Sequence, residues 1–176
     1  MKIPVMKIPV MKIPVRYLPF GLNNKDSNKQ IQMLKKSRTQ YKKGKFYTRK
    51  PVPTFHNRSS KHIGNAQKIY RIQKIVPGKE LANATGCSID ALQKIVKKGE
   101  GAYYSSGSRP NQTAQSWGYA RLASALTAGK AAAIDFNIME KGCNHKKKAF
   151  TLAKKARHKY GYGHGKTRRR VIGTTV

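Results

Sequence analysis

The chain has 176 residues and a formal net charge of +32, from 38 Lys and Arg against six Asp and Glu. Such a charge predicts a polyanionic neighbour, namely nucleic acid, an anionic membrane face or an acidic protein surface. Six acids spread along the chain leave little scope for paired-carboxylate catalysis, so we do not expect an enzyme.

The charge divides the chain into a nearly neutral centre and two basic arms. Residues 1–79 carry 20 Lys and Arg with one acid, residues 80–140 carry six with five acids, and residues 141–176 carry 12 with none. We therefore predict a mainly α protein, with a small helical core at about residues 67–142 and long extended basic arms. The predicted segments are a ribbon at 1–24, a basic helix and extended arm at 25–66, the core at 67–142, and a basic helix and tail at 143–176.

Residues 1–15 repeat Met-Lys-Ile-Pro-Val three times. Lys and Pro interrupt the apolar run too often for a secretory signal or a transmembrane helix. Each proline also removes a backbone donor and disfavours helical geometry in the residue before it. We therefore expect an extended or edge-strand ribbon that anchors the protein on neighbouring subunits. Its anchoring residues are Ile3, Pro4, Val5, Ile8, Pro9, Val10, Ile13, Pro14 and Val15.

The two arms contain the predicted polyanion-binding residues. A helix is predicted from Asp26 or Ser27 to about Lys43, and an amphipathic basic helix opens the second arm. Residues 44–62 interleave Lys and Arg with aromatic residues, which is typical either of an extended arm with stacking groups or of a solvated linker. The candidates are Lys42, Lys43, Lys45, Arg49, Lys50, Lys146, Lys147, Lys148, Arg168, Arg169 and Arg170.

A helix-turn-helix pattern begins at Lys79. A short helix is predicted to end near Gly86, and Ser88 is a good N-cap for a second helix to about Lys98. The small, turn and apolar positions of such a unit are Ala82, Gly86, Leu92 and Ile95. The pattern indicates DNA reading, although ordinary helical hairpins also match it.

The polar loop SSGSRPNQT precedes a predicted helix that runs to about Thr127, with Asn111 or Thr113 as its N-cap. A further helix is predicted over residues 131–140. The loop either cradles a phosphate through hydroxyls, backbone N–H groups and Arg109 at the helix N-terminus, or forms a rigid polar turn that satisfies buried backbone groups. We favour the second interpretation. The loop residues concerned are Ser105, Ser106, Ser108, Arg109, Asn111 and Gln112.

Neither a metal nor a cofactor is expected. Cys143 and His145 lack the paired spacing that closes a zinc site, and the Gly-Lys at 129–130 lacks the rest of a P-loop. Two cysteines in a chain with no secretory signal predict a reducing compartment and no disulfide framework.

The run GEGAYYSSGSRPNQTAQSWGYARLASALTAGKAAAIDFNIMEKGC, which contains the specific motif AYYSSGSRPNQT, resembles a family of basic proteins from large double-stranded DNA viruses, including algal viruses, and from some tailed phages. Residues 34–70 are similar to the basic region that precedes this run in the viral proteins. The resemblance covers about residues 30–145 and leaves the triple repeat outside. It implies a virion protein and supplies no activity or catalytic residues.

The leading hypothesis is a minor structural protein of a large icosahedral double-stranded DNA virus, which cements the capsid from the inner side of its shell. It would be made in the host cytoplasm and would bridge the major capsid protein and other minor capsid proteins, with viral DNA or an anionic inner membrane as the polyanion. The alternative is a virion-associated or regulatory DNA-binding protein that uses the basic arms and the helix-turn-helix-like unit.

Overall fold

The computed structural model of the protein describes residues 10–163 and 167–173. These residues form eight helices and two strands, which confirms the mainly α class. In chain order the elements are β1 (Val10–Pro14), α1 (Asn24–Lys42), α2 (Lys61–Tyr70), α3 (Lys79–Thr85), α4 (Ile89–Ser105), α5 (Ala114–Leu126), α6 (Lys130–Ile134), α7 (Phe136–Gly142), α8 (Lys148–Tyr160) and β2 (Arg169–Gly173). No helix within the described ranges combines the length and the apolar character that a membrane crossing requires.

The third copy of the repeat is a strand that pairs within this chain. β1 and β2 are antiparallel, in a register that runs from Val10 opposite Gly173 to Pro14 opposite Arg169. Side chains alternate along a strand, and Ile13 therefore points inward, where it is fully buried.

This pairing corrects the anchoring prediction for the third copy. Val10 is half exposed, Pro14 and Val15 are partly buried, and Ile13 packs against this chain's own apolar residues rather than against a neighbouring subunit. Val10 is the last residue of the second copy. The other anchoring residues of the first two copies lie outside the described residues: Ile3, Pro4, Val5, Ile8 and Pro9.

The larger apolar cluster extends beyond the predicted core on both sides. It runs from Ala66 in α2 to Ala156 in α8, and the buried face of α8 includes Phe150 and Ala153. The basic helix of the second arm is therefore a core element and not an extended arm, because its alanines allow close packing and Phe150 fills the space between helices.

A smaller apolar cluster contains β1, the turn after it and α1. Residues 45–60, apart from a turn at residues 53–54, have no regular secondary structure, as expected for the first arm, but they do not leave the body of the protein. Val52 is fully buried in the smaller cluster, and Tyr47 and Phe55 pack against it together with Trp117 of α5. The prediction of a long free arm is wrong here, because the apolar residues between the lysines have a surface to cover.

The α4–α5 crossing is a close backbone contact between two glycines. A Cβ on Gly99 would lie 2.6 Å from the Cα of Gly118, and a Cβ on Gly118 would lie 2.8 Å from the carbonyl oxygen of Val96. The two backbones approach this closely because neither glycine has a side chain.

Several helix ends differ from their predicted positions. Asn23 caps α1 by accepting from the N–H of Asp26, whereas the Asp26 carboxylate accepts from the N–H and hydroxyl of Thr54 at 2.9 and 2.7 Å. These bonds lower the pKa of Asp26 and attach residues 51–55 to α1. Thr113, and not Asn111, caps α5, and α4 continues past Lys98 to Ser105.

The helix predicted over residues 131–140 is two helices, because Asp135 interrupts it. Its buried carboxylate accepts from the guanidinium of Arg121 at 2.7 and 2.9 Å and pairs with the ammonium of Lys98 at 2.6 Å. A carboxylate without solvent needs such partners, and Asp135 finds both of them at the junction of α6 and α7.

Cys87 and Cys143 form a disulfide, which corrects the prediction of unpaired cysteines. Each follows a glycine that ends a helix. The N–H of Ser88 donates to the carbonyl of Gly142, and the N–H of Asn144 donates to that of Gly86, both at 2.7 Å. This backbone bridge places the two cysteines side by side although 56 residues separate them.

A candidate nucleic-acid interface

The turn that follows α1 presents an aromatic ring among lysines. Lys42, Lys43 and Lys45 are exposed, and Gly44 makes the turn with a φ of +71°. Phe46, which follows Lys45, is 71% exposed. Most of the surface of this side chain is therefore open to a ligand.

Two tyrosines fix the position of the Phe46 ring. Its centroid lies 4.9 Å from that of Tyr104 in α4 and 6.2 Å from that of Tyr41 at the end of α1. The ring therefore has a supported side and an open side. Together with the neighbouring lysines it forms what we call the stacking turn, residues 41–46.

Arg49 does not belong to this surface, although the sequence places it among the polyanion-binding candidates. Its guanidinium is buried and donates to the hydroxyls of Ser37 and Ser108 at 2.9 and 2.8 Å and to the carbonyl of Tyr103 at 2.8 Å. It also lies 3.7 Å above the Tyr103 ring. Burial lowers the pKa of Arg49. Arg49 thus holds the fold together, whereas the neighbouring Lys50 is exposed.

The second half of the SSGSRPNQT loop is a structural junction. Asn111 adopts a left-handed backbone conformation, and its side-chain oxygen accepts from the N–H of Val52 at 2.7 Å. Its amide nitrogen donates to the carbonyls of Val52 and Phe55 at 3.0 and 2.8 Å. These bonds support the interpretation of the loop as a rigid polar turn.

The other loop residues have separate surroundings. Ser108 is fully buried against Arg49, and Gln112 accepts from the hydroxyl of Ser116 at 2.8 Å. Arg109 is exposed, while Ser105 and Ser106 face a cavity away from it. The structure therefore does not gather these six residues around one point.

α8 carries a continuous basic face. Its buried side faces the core, and the exposed side carries Lys148, Lys154, Lys155 and Lys159. Lys146 and Lys147, just before the helix, are exposed as well, and residues 141–176 contain no acid. The three predicted residues 146–148 thus lie on one basic surface, which also includes the later lysines.

The three consecutive arginines at the start of β2 have different roles. Arg168 and Arg169 are exposed, whereas Arg170 is partly buried and donates to the carbonyl of Leu18 at 3.1 Å. Arg168 and Arg170 lie 5.8 and 4.8 Å from the ring centroid of Phe20. Arg170 therefore also attaches β2 to the body.

The α3–α4 hairpin matches the predicted helix-turn-helix unit in its turn and core. Gly86 is left-handed, and Leu92 and Ile95 are buried. The exposed face of α4 includes Lys94, but this lysine pairs with Asp90 at 2.7 Å. An acid in the first turn of the second helix would face phosphates in a groove, so this hairpin is a weaker DNA-reading element than its pattern indicates.

Carboxylates neutralise few of the cations. Within residues 10–163 and 167–173, ion pairs join Lys94 to Asp90, and Lys98 and Arg121 to the shared Asp135. The positive charge that the sequence predicts is thus largely presented outward by the folded protein and not used within it.

A family of unknown function, DUF5824, matches residues 14–144. The chain belongs to this family. The match includes the stacking turn, the SSGSRPNQT loop and both cysteines, whereas α8 and β2 lie outside it. No curated protein and no solved structure matches the chain.

Sequence reasoning missed the two tyrosines that support Phe46. Tyr41 lies near the predicted end of the first helix, and Tyr104 lies beyond the predicted end, near Lys98, of the helix that Ser88 caps. The adjacent pair Tyr103 and Tyr104 gives the one sequence indication of this support. Neighbouring residues of a helix point in different directions, so the two rings cannot both face the centre of the core.

Proposed function

We propose that the protein binds nucleic acid through phosphate contacts from its basic surfaces, and that it holds single-stranded segments by stacking bases on Phe46. In keeping with the viral resemblance, we place this activity in the virion or on the viral genome. The observation that carries the proposal is the stacking turn, in which an exposed, supported aromatic ring is flanked by three lysines.

Stacking and charge have complementary effects in such a site. Every base has a π-face, so an aromatic platform binds single strands with little regard to sequence. Lysines beside it contact the phosphates and release condensed counterions. The basic face of α8 and the exposed Arg168 and Arg169 add further cations and serve double and single strands alike.

The test is fluorescence anisotropy of labelled single-stranded and duplex DNA with the full chain over a salt series. We expect Phe46→Ala to weaken single-strand binding by roughly 5- to 150-fold, since stacking contributes about 1–3 kcal/mol per base, and to leave duplex binding nearly unchanged. Replacing Lys42, Lys43 and Lys45 together by Gln should lower the salt slope by up to about 2.

Two variants serve as controls. Phe20→Ala removes another exposed aromatic ring, but Arg168 and Arg170 lie over that ring. We therefore expect this variant to keep the difference in affinity between single-stranded and duplex DNA. Lys94→Gln removes a lysine already paired with Asp90 and should not change the slope. Equal losses for Phe46→Ala and Phe20→Ala, or binding without salt dependence, would refute the proposal.

The minor-capsid role is a second proposal, favoured by the behaviour of the repeat. The third MKIPV copy forms a strand that pairs through its backbone, and the first two copies have the same sequence. The first two copies can therefore pair in the same way with a strand edge of a capsid subunit. Deletion of residues 1–9 should then reduce capture of the purified chain by the major capsid protein while DNA binding persists. Unchanged capture would contradict this role.

A further inference from the structure

A basic cavity lies where β1, β2, α1 and the end of α4 meet. Its volume is about 400 Å³, within the range of small-molecule sites. Four cationic side chains line it: Lys12, Arg16, Arg38 and Arg169. The hydroxyl-bearing residues Ser105, Ser106 and Thr167 are also on its wall, and no described lining residue is acidic.

Arg38 is the fixed donor of this cavity. Its Nε and one terminal nitrogen donate to the carbonyl oxygen of Ser106 at 3.0 and 2.7 Å, which orients the plane of the guanidinium. Burial lowers the pKa of Arg38; Tyr17 opposes this shift and the nearby charge of Arg169 adds to it. Arg38 and Arg169 both line the cavity, so an anion bound there would reduce the repulsion between their charges.

The lining defines the chemistry of a ligand. A planar guanidinium binds phosphate oxygens in pairs, and serine hydroxyls donate to the remaining ones. Near neutral pH a single phosphate carries at most about two charges and would leave part of the four cations uncompensated. Two or three linked phosphates carry enough charge to compensate the four cations and fit within a cavity of about 400 Å³.

We propose that this cavity binds an oligophosphate, that is, a group of two or three linked phosphates. Lys12 and Arg169 come from the paired strands, whereas Arg38 and the serines come from the helical body. An oligophosphate would therefore connect the β1–β2 sheet to the helices. The site differs from the proposed phosphate cradle of the SSGSRPNQT loop, because it uses Ser105 and Ser106 but not the exposed Arg109.

The test measures binding of inorganic tripolyphosphate to the full chain by calorimetry, with sodium sulfate at equal ionic strength as the reference. We expect tripolyphosphate to bind at least tenfold tighter than sulfate and to raise the melting temperature. Arg169→Gln should weaken tripolyphosphate binding at least tenfold. Arg168→Gln is the matched control, because it removes the neighbouring exposed charge that does not line the cavity, and it should change binding less than twofold.

Equal weakening by both variants, or no preference for tripolyphosphate over sulfate, would overturn the proposal. Lys12→Gln provides a second readout on the other strand and should also weaken binding. An oligonucleotide with a 5′-triphosphate, compared with the same strand bearing a 5′-hydroxyl, distinguishes a nucleic-acid end from a free oligophosphate. Failure here leaves the proposed DNA binding intact, since Phe46 and the lysines of the stacking turn lie outside the cavity lining.

Discussion

A single side chain, that of Asn111, joins two distant segments of the fold. It makes three hydrogen bonds to the backbone of Val52 and Phe55. The backbone carbonyl of Asn111 also accepts from the side-chain amide of Asn57 at 2.6 Å. Its left-handed φ of 59° suits Asn better than most residues. One residue thus fixes both a backbone conformation and the path of the extended segment at residues 50–57.

Asn111→Ala should destabilise the protein, because backbone groups of the buried Val52 and the partly buried Phe55 would lose their partners. We expect a loss of roughly 2–3 kcal/mol in the free energy of unfolding, measured by urea denaturation. Arg109→Ala is the control in the same loop; its side chain is exposed, and we expect a change within about 0.5 kcal/mol. A loss for Arg109→Ala as large as that for Asn111→Ala would contradict this division of the loop.

At the scale of elements, the sequence predicted helix ends correctly where the capping residue and the apolar spacing lie within or next to the helix itself. Ser88 caps α4 and Gly86 ends α3 as predicted, because both effects act within a few residues. The break at Asp135 was not predictable, since its cause is a pair of cations on two other helices. The disulfide was also missed because it depends on a contact between two segments that are distant in sequence.

The α4–α5 crossing depends on Gly118. Gly118→Ala should destabilise the protein by about 1–3 kcal/mol, because the new methyl group would press on the carbonyl of Val96. Thermal and urea unfolding measure this loss. Gly64→Ala is the matched control in α2: nothing lies within 4 Å of the added atom, so we expect a gain of roughly 0.5–1 kcal/mol. Destabilisation of both variants alike would show that helix contact is not the cause.

At the scale of the whole molecule, charge did not mark the boundary of the folded body. The neutral segment suggested a core at residues 67–142, yet the basic α8 completes that core and the first arm covers the smaller cluster. Lysines extend from a helix whose other face is apolar, so a basic segment can be both a surface and part of the core. The oligophosphate cavity was equally unpredictable, because four remote segments form it.

A fragment of residues 67–142 should therefore not fold. It lacks Ala66 and the buried face of α8, including Phe150 and Ala153. We expect no cooperative thermal transition by circular dichroism. In the full chain, Phe150→Ala should reduce stability by about 3–5 kcal/mol, as deletion of a buried aromatic ring does. Cooperative melting of the fragment would contradict this expectation and would support a core bounded by residues 67 and 142.

The pairing of β1 with β2 also sets an order of folding. It closes a loop of almost the whole described chain. Contacts this distant in sequence form late, because closing the loop costs conformational entropy before the contacts can stabilise the structure. A two-stranded sheet is marginal by itself, so the strands must wait for the helical surface that buries Ile13. The sheet should accordingly form last and open first, and the amide hydrogens of its ladder should exchange with solvent while those of α4 and α5 stay protected.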